Sequence, residues 1–269
     1  MGPMMAGLSR AVKGVVLVLG LVSCASSPVP PVDPTIAVAV TSDLQFAFEE
    51  ILLDFHRVHP EIVVRPTFGS SGSLYNQILN RAPFDMYLAG DVNYVKRLAE
   101  AEIADPESIF VHGKSQLVVF VRKTTSLPIE KEGVRVVLDP TVKKVAIANP
   151  KNSPYGRAAK EVLETVKVFE TVESKMVYAE NVAQAAQMVD NGSAQVGIIA
   201  MTLALAPPLR ASGKFVKVAE DIVPTMFQGG GILTRTSDRA TCEKLRDYLL
   251  SPRGRAILSD YGLLATEEQ

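Results

Sequence analysis

The chain of 269 residues has no tryptophan, two cysteines and three histidines, and only 6% of it is aromatic. Two cysteines, Cys24 and Cys242, exclude a disulfide framework of the kind that staples small secreted domains. Cys242 falls on a helical pattern and reads as a lone buried thiol. Histidine is too scarce for a metal centre. His56 and His59 stand three apart, but the run lacks the glutamate of H-E-x-x-H and any further ligand set. As charges at the end of a helix they complement its dipole. An excess of either charge is also missing. The 28 basic and 29 acidic residues give a formal net charge of -1, with no basic cluster or aromatic platform for nucleic acid or an anionic membrane. Gly229-Gly230-Gly231 is no nucleotide fingerprint, because it enters a strand and no Gly-Lys-Ser/Thr follows. No internal repeat is visible.

What is present is a chain 47% hydrophobic and 21% charged, enough for one large or two medium domains. Its start is a targeting segment. Arg10 and Lys13 precede the apolar run Val15 to Val22, which has signal-peptide proportions and is too short to span a bilayer. The run ends in Leu21-Val22-Ser23-Cys24, which resembles the lipobox of bacterial lipoproteins. That resemblance implies cleavage before Cys24 and lipidation of its thiol; plain secretion with an incidental cysteine is the alternative. Residues 24–34 then form a tether rich in proline and serine. Loss of residues 1–23 removes two basic residues and leaves a formal net charge of -3.

From Thr35 onward, strand and helix patterns alternate. Apolar, β-branched runs at 35–40, 62–67, 84–89, 117–121, 144–148, 176–178, 196–200 and 215–218 read as strands. The run from Thr225 to Thr234 reads as a strand that returns through a flexible joint at its three glycines. Helical patterns follow most of the strands, and the last two, Leu245 to Leu250 and Ala256 to Leu264, close the chain, with Gly262 as a C-cap. This alternation predicts an α/β fold with mainly parallel sheets.

Four strand-to-helix junctions share one chemistry. The first carries Ser42 and Asp43, with Ser42 and Gln45 at capping-box spacing. In the second, Phe68-Gly69-Ser70-Ser71-Gly72-Ser73-Leu74 places Ser71 in a small polar turn whose glycines permit close approach of a ligand. The third, with Ser153 as N-cap and Pro154 at N1, places Tyr155; the fourth, with Asn181 as cap, places Val182. Such junctions gather at the carboxyl ends of parallel strands, where α/β sheets bind ligands. Each helix start carries roughly half a positive charge, so four suit a dianion. None of the four positions is Lys or Arg. A fully deprotonated oxyanion accepts hydrogen bonds only, and a donor-only cage matches it.

At these residues the chain resembles the periplasmic molybdate-binding proteins of ABC transporters (ModA type), from about Thr35 to Leu264. The marks are AVTSDLQFAFEEI (39–51), the His-Pro after the first helix, FGSSGSL, RAPFDMYLAGD (81–91), NPKNSPYGRAAKEVL (149–163), AENVAQAAQMV (179–189) and VGIIA (196–200). The resemblance implies a two-lobe periplasmic-binding-protein fold of type II with the ligand in the cleft. Lobe 1 is expected at 35–117 plus 224–269 and lobe 2 at 118–223. It implies capture of molybdate or tungstate, with no cofactor, no enzymatic activity and a permease and ATPase as partners. The protein is expected outside the cytoplasm, in the periplasm or at the cell surface, as a monomer that touches membrane only through a lipid anchor. The family's oxyanion contacts fall on Ser42, Asp43, Ser71, Tyr155 and the backbone N–H of Val182. Two positions depart from it. Where some members close the site with a tyrosine, this chain has Ala200, and Tyr155 is left to supply a phenol. Asp43 stands where members often carry a neutral side chain. It either complements the helix dipole and offers its N–H, or accepts a proton from a protonated anion, which selects hydrogen phosphate. A serine hydrolase on Ser70 and Ser71 is the competitor from another class; it lacks a base, since His112 has no motif around it and Ser73 replaces the second glycine of G-x-S-x-G.

Overall fold

A computed structural model describes residues 1–2 and 34–266; the apolar run, Cys24 and the tether up to residue 33 lie outside the described residues. The strands in chain order are β1 (Thr35–Thr41), β2 (Val63–Gly69), β3 (Met86–Ala89), β4 (Phe110–Lys114), β5 (Leu117–Arg122), β6 (Val145–Ala148), β7 (Met176–Ala179), β8 (Val196–Ala200), β9 (Gly213–Lys217) and β10 (Phe227–Ile232). The α-helices are α1 (Gln45–Val58), α2 (Ser71–Leu79), α3 (Asn93–Glu100), α4 (Ile129–Glu132), α5 (Pro154–Thr165), α6 (Phe169–Val172), α7 (Val182–Asp190), α8 (Met201–Ala204), α9 (Pro207–Ser212), α10 (Arg239–Leu250) and α11 (Pro252–Asp260).

The strands form two five-stranded sheets, in the orders β2-β1-β3-β10-β4 and β7-β6-β8-β5-β9. In the first, β2, β1 and β3 are parallel and β10 runs against its neighbours; in the second, β7, β6 and β8 are parallel and β5 runs against its neighbours. This is the α/β fold that the alternation implied, in the two lobes that the family resemblance implied, with sheets that are mixed and not mainly parallel. One reversed strand in each sheet is the price of crossing between lobes. The chain passes over at Ser115–Gln116 and returns across 218–226, and the crossings are tied by Ser115 N–H donating to the Met226 carbonyl at 2.9 Å.

Both faces of the first sheet are covered, which is why its strands are apolar throughout. Ile36, Val38 and Val40 pack toward α1, α10 and α11; Ala39, Tyr87 and Ala89 pack toward α2 and α3. Cys242 is buried in the first of these cores, and burial holds its thiol up at about 11. The second sheet has one core built on β5, β6 and β8 with α5 and α7.

The three glycines of β10 are not the flexible joint expected of them. A Cβ on Gly229 would meet the Phe110 carbonyl at 2.4 Å, one on Gly230 the Leu88 side chain at 2.5 Å, and one on Gly231 the Val95 side chain at 2.6 Å. They are glycine because neighbouring strands and α3 close directly onto this central strand. Gly262 does follow the last helix with φ +80, as a C-cap requires.

Candidate functional site

Every predicted junction lies at the carboxyl end of a strand in the parallel part of its sheet. β1 ends at Thr41, and residues 42–44 form a 3-10 turn before α1 begins at Gln45. The capping box expected from Ser42 and Gln45 does not form, because this extra turn separates Ser42 from the helix start. The Ser42 hydroxyl, buried, has no hydrogen-bond partner among the described residues. A buried donor left unsatisfied is unfavourable, and His112 Nδ1 and Thr202 Oγ1 share that condition.

Ser70 is the N-cap of α2, accepting from Ser73 N–H at 3.4 Å, and this leaves Ser71 free for other work. The Ser71 hydroxyl donates to Thr41 Oγ1 at 3.3 Å and accepts from Gly90 N–H at 3.0 Å. Gly72 does bring backbones close together, but against the opposite lobe. Its N–H donates to the Asn152 carbonyl at 2.7 Å, and a Cβ there would stand 2.5 Å from that oxygen. Gly90 is the meeting point of the cage. A Cβ on it would lie 3.1 Å from Thr41 Oγ1, 3.4 Å from Ser71 Oγ and 3.4 Å from the Tyr155 ring.

The caps in the second lobe form as the sequence predicts. Ser153 accepts from Gly156 N–H at 3.3 Å with Pro154 at the start of α5, and Asn181 accepts from Gln184 N–H at 3.0 Å. The first N–H groups of these helices, including those of Tyr155 and Val182, have no partner within the helix. Both residues are buried, and α7 packs against the Ser42–Leu44 turn of the other lobe.

Asp43 is 1% exposed. Its Oδ1 accepts from Thr41 Oγ1 at 2.7 Å; its Oδ2 accepts from Tyr155 Oη at 2.7 Å and from Gln228 Nε2 at 2.6 Å. Ser115 Oγ completes the group, 3.1 Å from Tyr155 Oη and 3.0 Å from Gln228 Nε2. Burial pushes the Asp43 carboxyl up against the opposing effect of these hydrogen bonds. Burial, and then the charge of Asp43, push the Tyr155 phenol well above its ordinary value, so it stays a donor. Behind Gln228 stands His112, with Nε2 3.3 Å from Oε1. Burial holds this imidazole down at about 4, neutral at pH 7.

The structure thus joins Tyr155 to Asp43, and Ser71 to Asp43 through Thr41. The phenol expected to reach the ligand in place of a tyrosine at Ala200 is instead turned onto Asp43. The Asp43 carboxylate is turned inward toward the crossings, onto Tyr155 and Gln228. Sequence reading missed Thr41, Ser115 and Gln228. A hydroxyl at the last residue of β1, next to Ser42, was a usable signal for Thr41. Nothing local marks Ser115 or Gln228. The serines have no histidine base here, since Ser71 donates to Thr41 and His112 is engaged with Gln228. Among the described residues no group of three His, Cys, Asp or Glu side chains can hold a metal ion.

Arg157 on α5 reaches across the cleft mouth to Tyr94 Oη at 3.0 Å and to Asp91 at 3.7 Å. The interior therefore offers hydroxyls, helix-start N–H groups and one carboxylate, and the cation stays at the rim. That inventory suits an anion held by neutral donors.

The chain is similar to known proteins over most of its length. The chain is 31% identical over 255 residues to the molybdate-binding protein ModA of Azotobacter vinelandii, covering 95% of this chain and 97% of that one. It is 26% identical over 260 residues to a putative ABC transporter substrate-binding lipoprotein of Bacillus subtilis, covering 95% and 96%. The solved periplasmic molybdate-binding protein of Azotobacter vinelandii has the same fold, with a TM-score of 0.81 at 24% identity over 86% of this chain and 100% of that one. The family model for bacterial extracellular solute-binding proteins matches residues 36–264, and the chain belongs to that family.

Proposed function

We propose that this protein captures molybdate, or tungstate, outside the cytoplasm and delivers it to the permease and ATPase of an ABC importer. It is a binding protein and not an enzyme, and the oxyanion is its cargo, with no cofactor required. The observation that carries the reading is the buried Ser42 hydroxyl without a partner among the described residues, in a turn that packs against α7 and is bonded through Asp43 to Tyr155 at the start of α5. Ser42, Ser71 and the N–H groups of Tyr155 and Val182 are the ligand donors; Ser71 turns its one proton from Thr41 to the anion, and Thr41, whose proton goes to Asp43, braces the set from behind. Asp43 contributes through its side chain to the wall behind them. The lobes, 35–117 plus 224–269 and 118–223, close on the anion about the two crossings.

Calorimetric titration of the purified protein with molybdate, tungstate, sulfate and phosphate at neutral pH tests this. One-to-one binding of molybdate and tungstate, with sulfate silent, is the expected outcome; silence toward all four removes the reading. Membrane tethering through Cys24 rests on the lipobox-like LVSC and on the likeness to the Bacillus protein. Incorporation of labelled palmitate that is lost in Cys24→Ala is the corresponding measurement. The anchored protein acts as a monomer, which light scattering in detergent checks.

A further inference from the structure

The oxyanion reading leaves a buried carboxylate unexplained. Asp43 adjoins Ser42 in sequence and is one hydroxyl away from Ser71. Thr41 Oγ1 has a single proton, which it gives to Asp43 Oδ1 while accepting from Ser71. A dianion seated on Ser42 and Ser71 therefore lies beside a second negative charge in a site closed to water.

Among the described residues no cation offsets that charge. On α1, Glu49 and Glu50 face solvent. On α7 the one ionisable residue is Asp190, which accepts from the Ser212 hydroxyl; α8 has none. On α2 and β3 the ionisable groups are Tyr75, under Arg97, and Tyr87, which donates to the Ser71 carbonyl. On β4, Lys114 pairs with Glu220 and His112 is neutral; β10 presents Gln228. On α5, Tyr155 keeps its proton and Arg157 is engaged with Asp91 and Tyr94. Two like charges in one buried site cannot both be held without a proton between them.

Resting on the oxyanion reading, we infer that Asp43 makes anion binding proton-linked: the closed site takes up its dianion together with one proton, held on the Asp43 carboxyl. The proton comes from solvent for molybdate, and no bond in the anion is broken. The group's proton affinity is higher with anion bound than without it. Binding is therefore strongest at low pH and weakens as pH rises past the value at which Asp43 ionises in the free protein. The limiting slope is about tenfold in Kd per pH unit.

The test is titration of the full protein with sodium molybdate from pH 6 to 8.5, in pairs of buffers with different ionisation enthalpies. The expected result is a Kd that rises with pH, by up to about tenfold per unit over part of the range, with net proton uptake there. Asp43→Asn keeps the shape and the donor contacts but has no charge. Its Kd is expected to be flat with pH and tighter than wild type at pH 8.5. A wild-type Kd independent of pH with no proton uptake overturns the inference while leaving molybdate capture intact, and so does a slope that survives in Asp43→Asn. Failure to bind molybdate, tungstate or any other oxyanion overturns the functional reading itself. Should Asp43→Asn not fold, Asp43→Ser takes its place with the same expected flat Kd and the same overturning result.

Discussion

Among single residues, Ser42 and His112 are both buried and both carry an atom without a partner, yet they differ in what replacing them does. Ser42 has no protein hydrogen bond to lose. Ser42→Ala is expected to leave the unfolding midpoint unchanged or slightly raised while weakening molybdate binding by about 1–3 kcal/mol, roughly tenfold to a hundredfold. Calorimetry and a melting curve on one sample separate the effects; equal losses in both would make Ser42 a structural residue. His112 acts on stability. Its folded-state value of about 4 lies below the ordinary 6.5, so the unfolded chain takes up protons first as pH falls. Its contribution is intact above pH 6.5 and lost progressively toward pH 4, by on the order of 3 kcal/mol. Asp43 acts in the opposite sense, since its raised carboxyl is unfavourable when ionised and relieved by acid. Urea unfolding at pH 7 and 4.5 should show a smaller acid loss in His112→Gln than in wild type.

The elements show which parts of the molecule were legible from sequence. Caps were, because they are local: Ser153 with Pro154, and Asn181, each bond an N–H three residues on. The alternation of apolar strands and amphipathic helices was legible for the same reason, since each period is read within one element. The Asp43 group was not. Gln228 meets Asp43 across 185 positions and Ser115 across 113, and only the return of β10 into the middle of the first sheet brings them there. The β10 glycines were misread because three in a row suggest freedom, whereas contact with β3, β4 and α3 demands the absence of side chains. Gly230→Ala tests that account. Its methyl would meet Leu88 at 2.5 Å and the Phe110 ring at 2.7 Å, and overpacking of this kind destabilises by about 1–3 kcal/mol. A lower urea midpoint with an unchanged slope is expected; a midpoint equal to wild type would restore the flexible joint.

At the scale of the whole molecule, directional polar contacts bridge the lobes beside the apolar packing of α8 on α1. Gly72 N–H to Asn152, Tyr155 to Asp43, and Arg157 to Tyr94 and Asp91 each join a group in one lobe to a group in the other. Those groups meet only when the helix starts of the second lobe stand over Ser42 and Ser71. Ligand that favours this arrangement shifts the population toward it by its differential affinity for the two states. Gly72 isolates the step, because its Cβ would collide with a backbone carbonyl of the opposite lobe, which has no rotamer to give way. Gly72→Ala should therefore leave each lobe folded while obstructing their approach. Small-angle scattering of wild type is expected to show a smaller radius of gyration with molybdate than without. The variant should contract less, with molybdate bound about tenfold more weakly, since overpacking of about 1–3 kcal/mol falls on the closed state alone. A variant that contracts fully and binds as tightly as wild type would mean that the Gly72–Asn152 contact is incidental to closure, and the remaining bridges at Asp43 and Arg157 would then have to carry it.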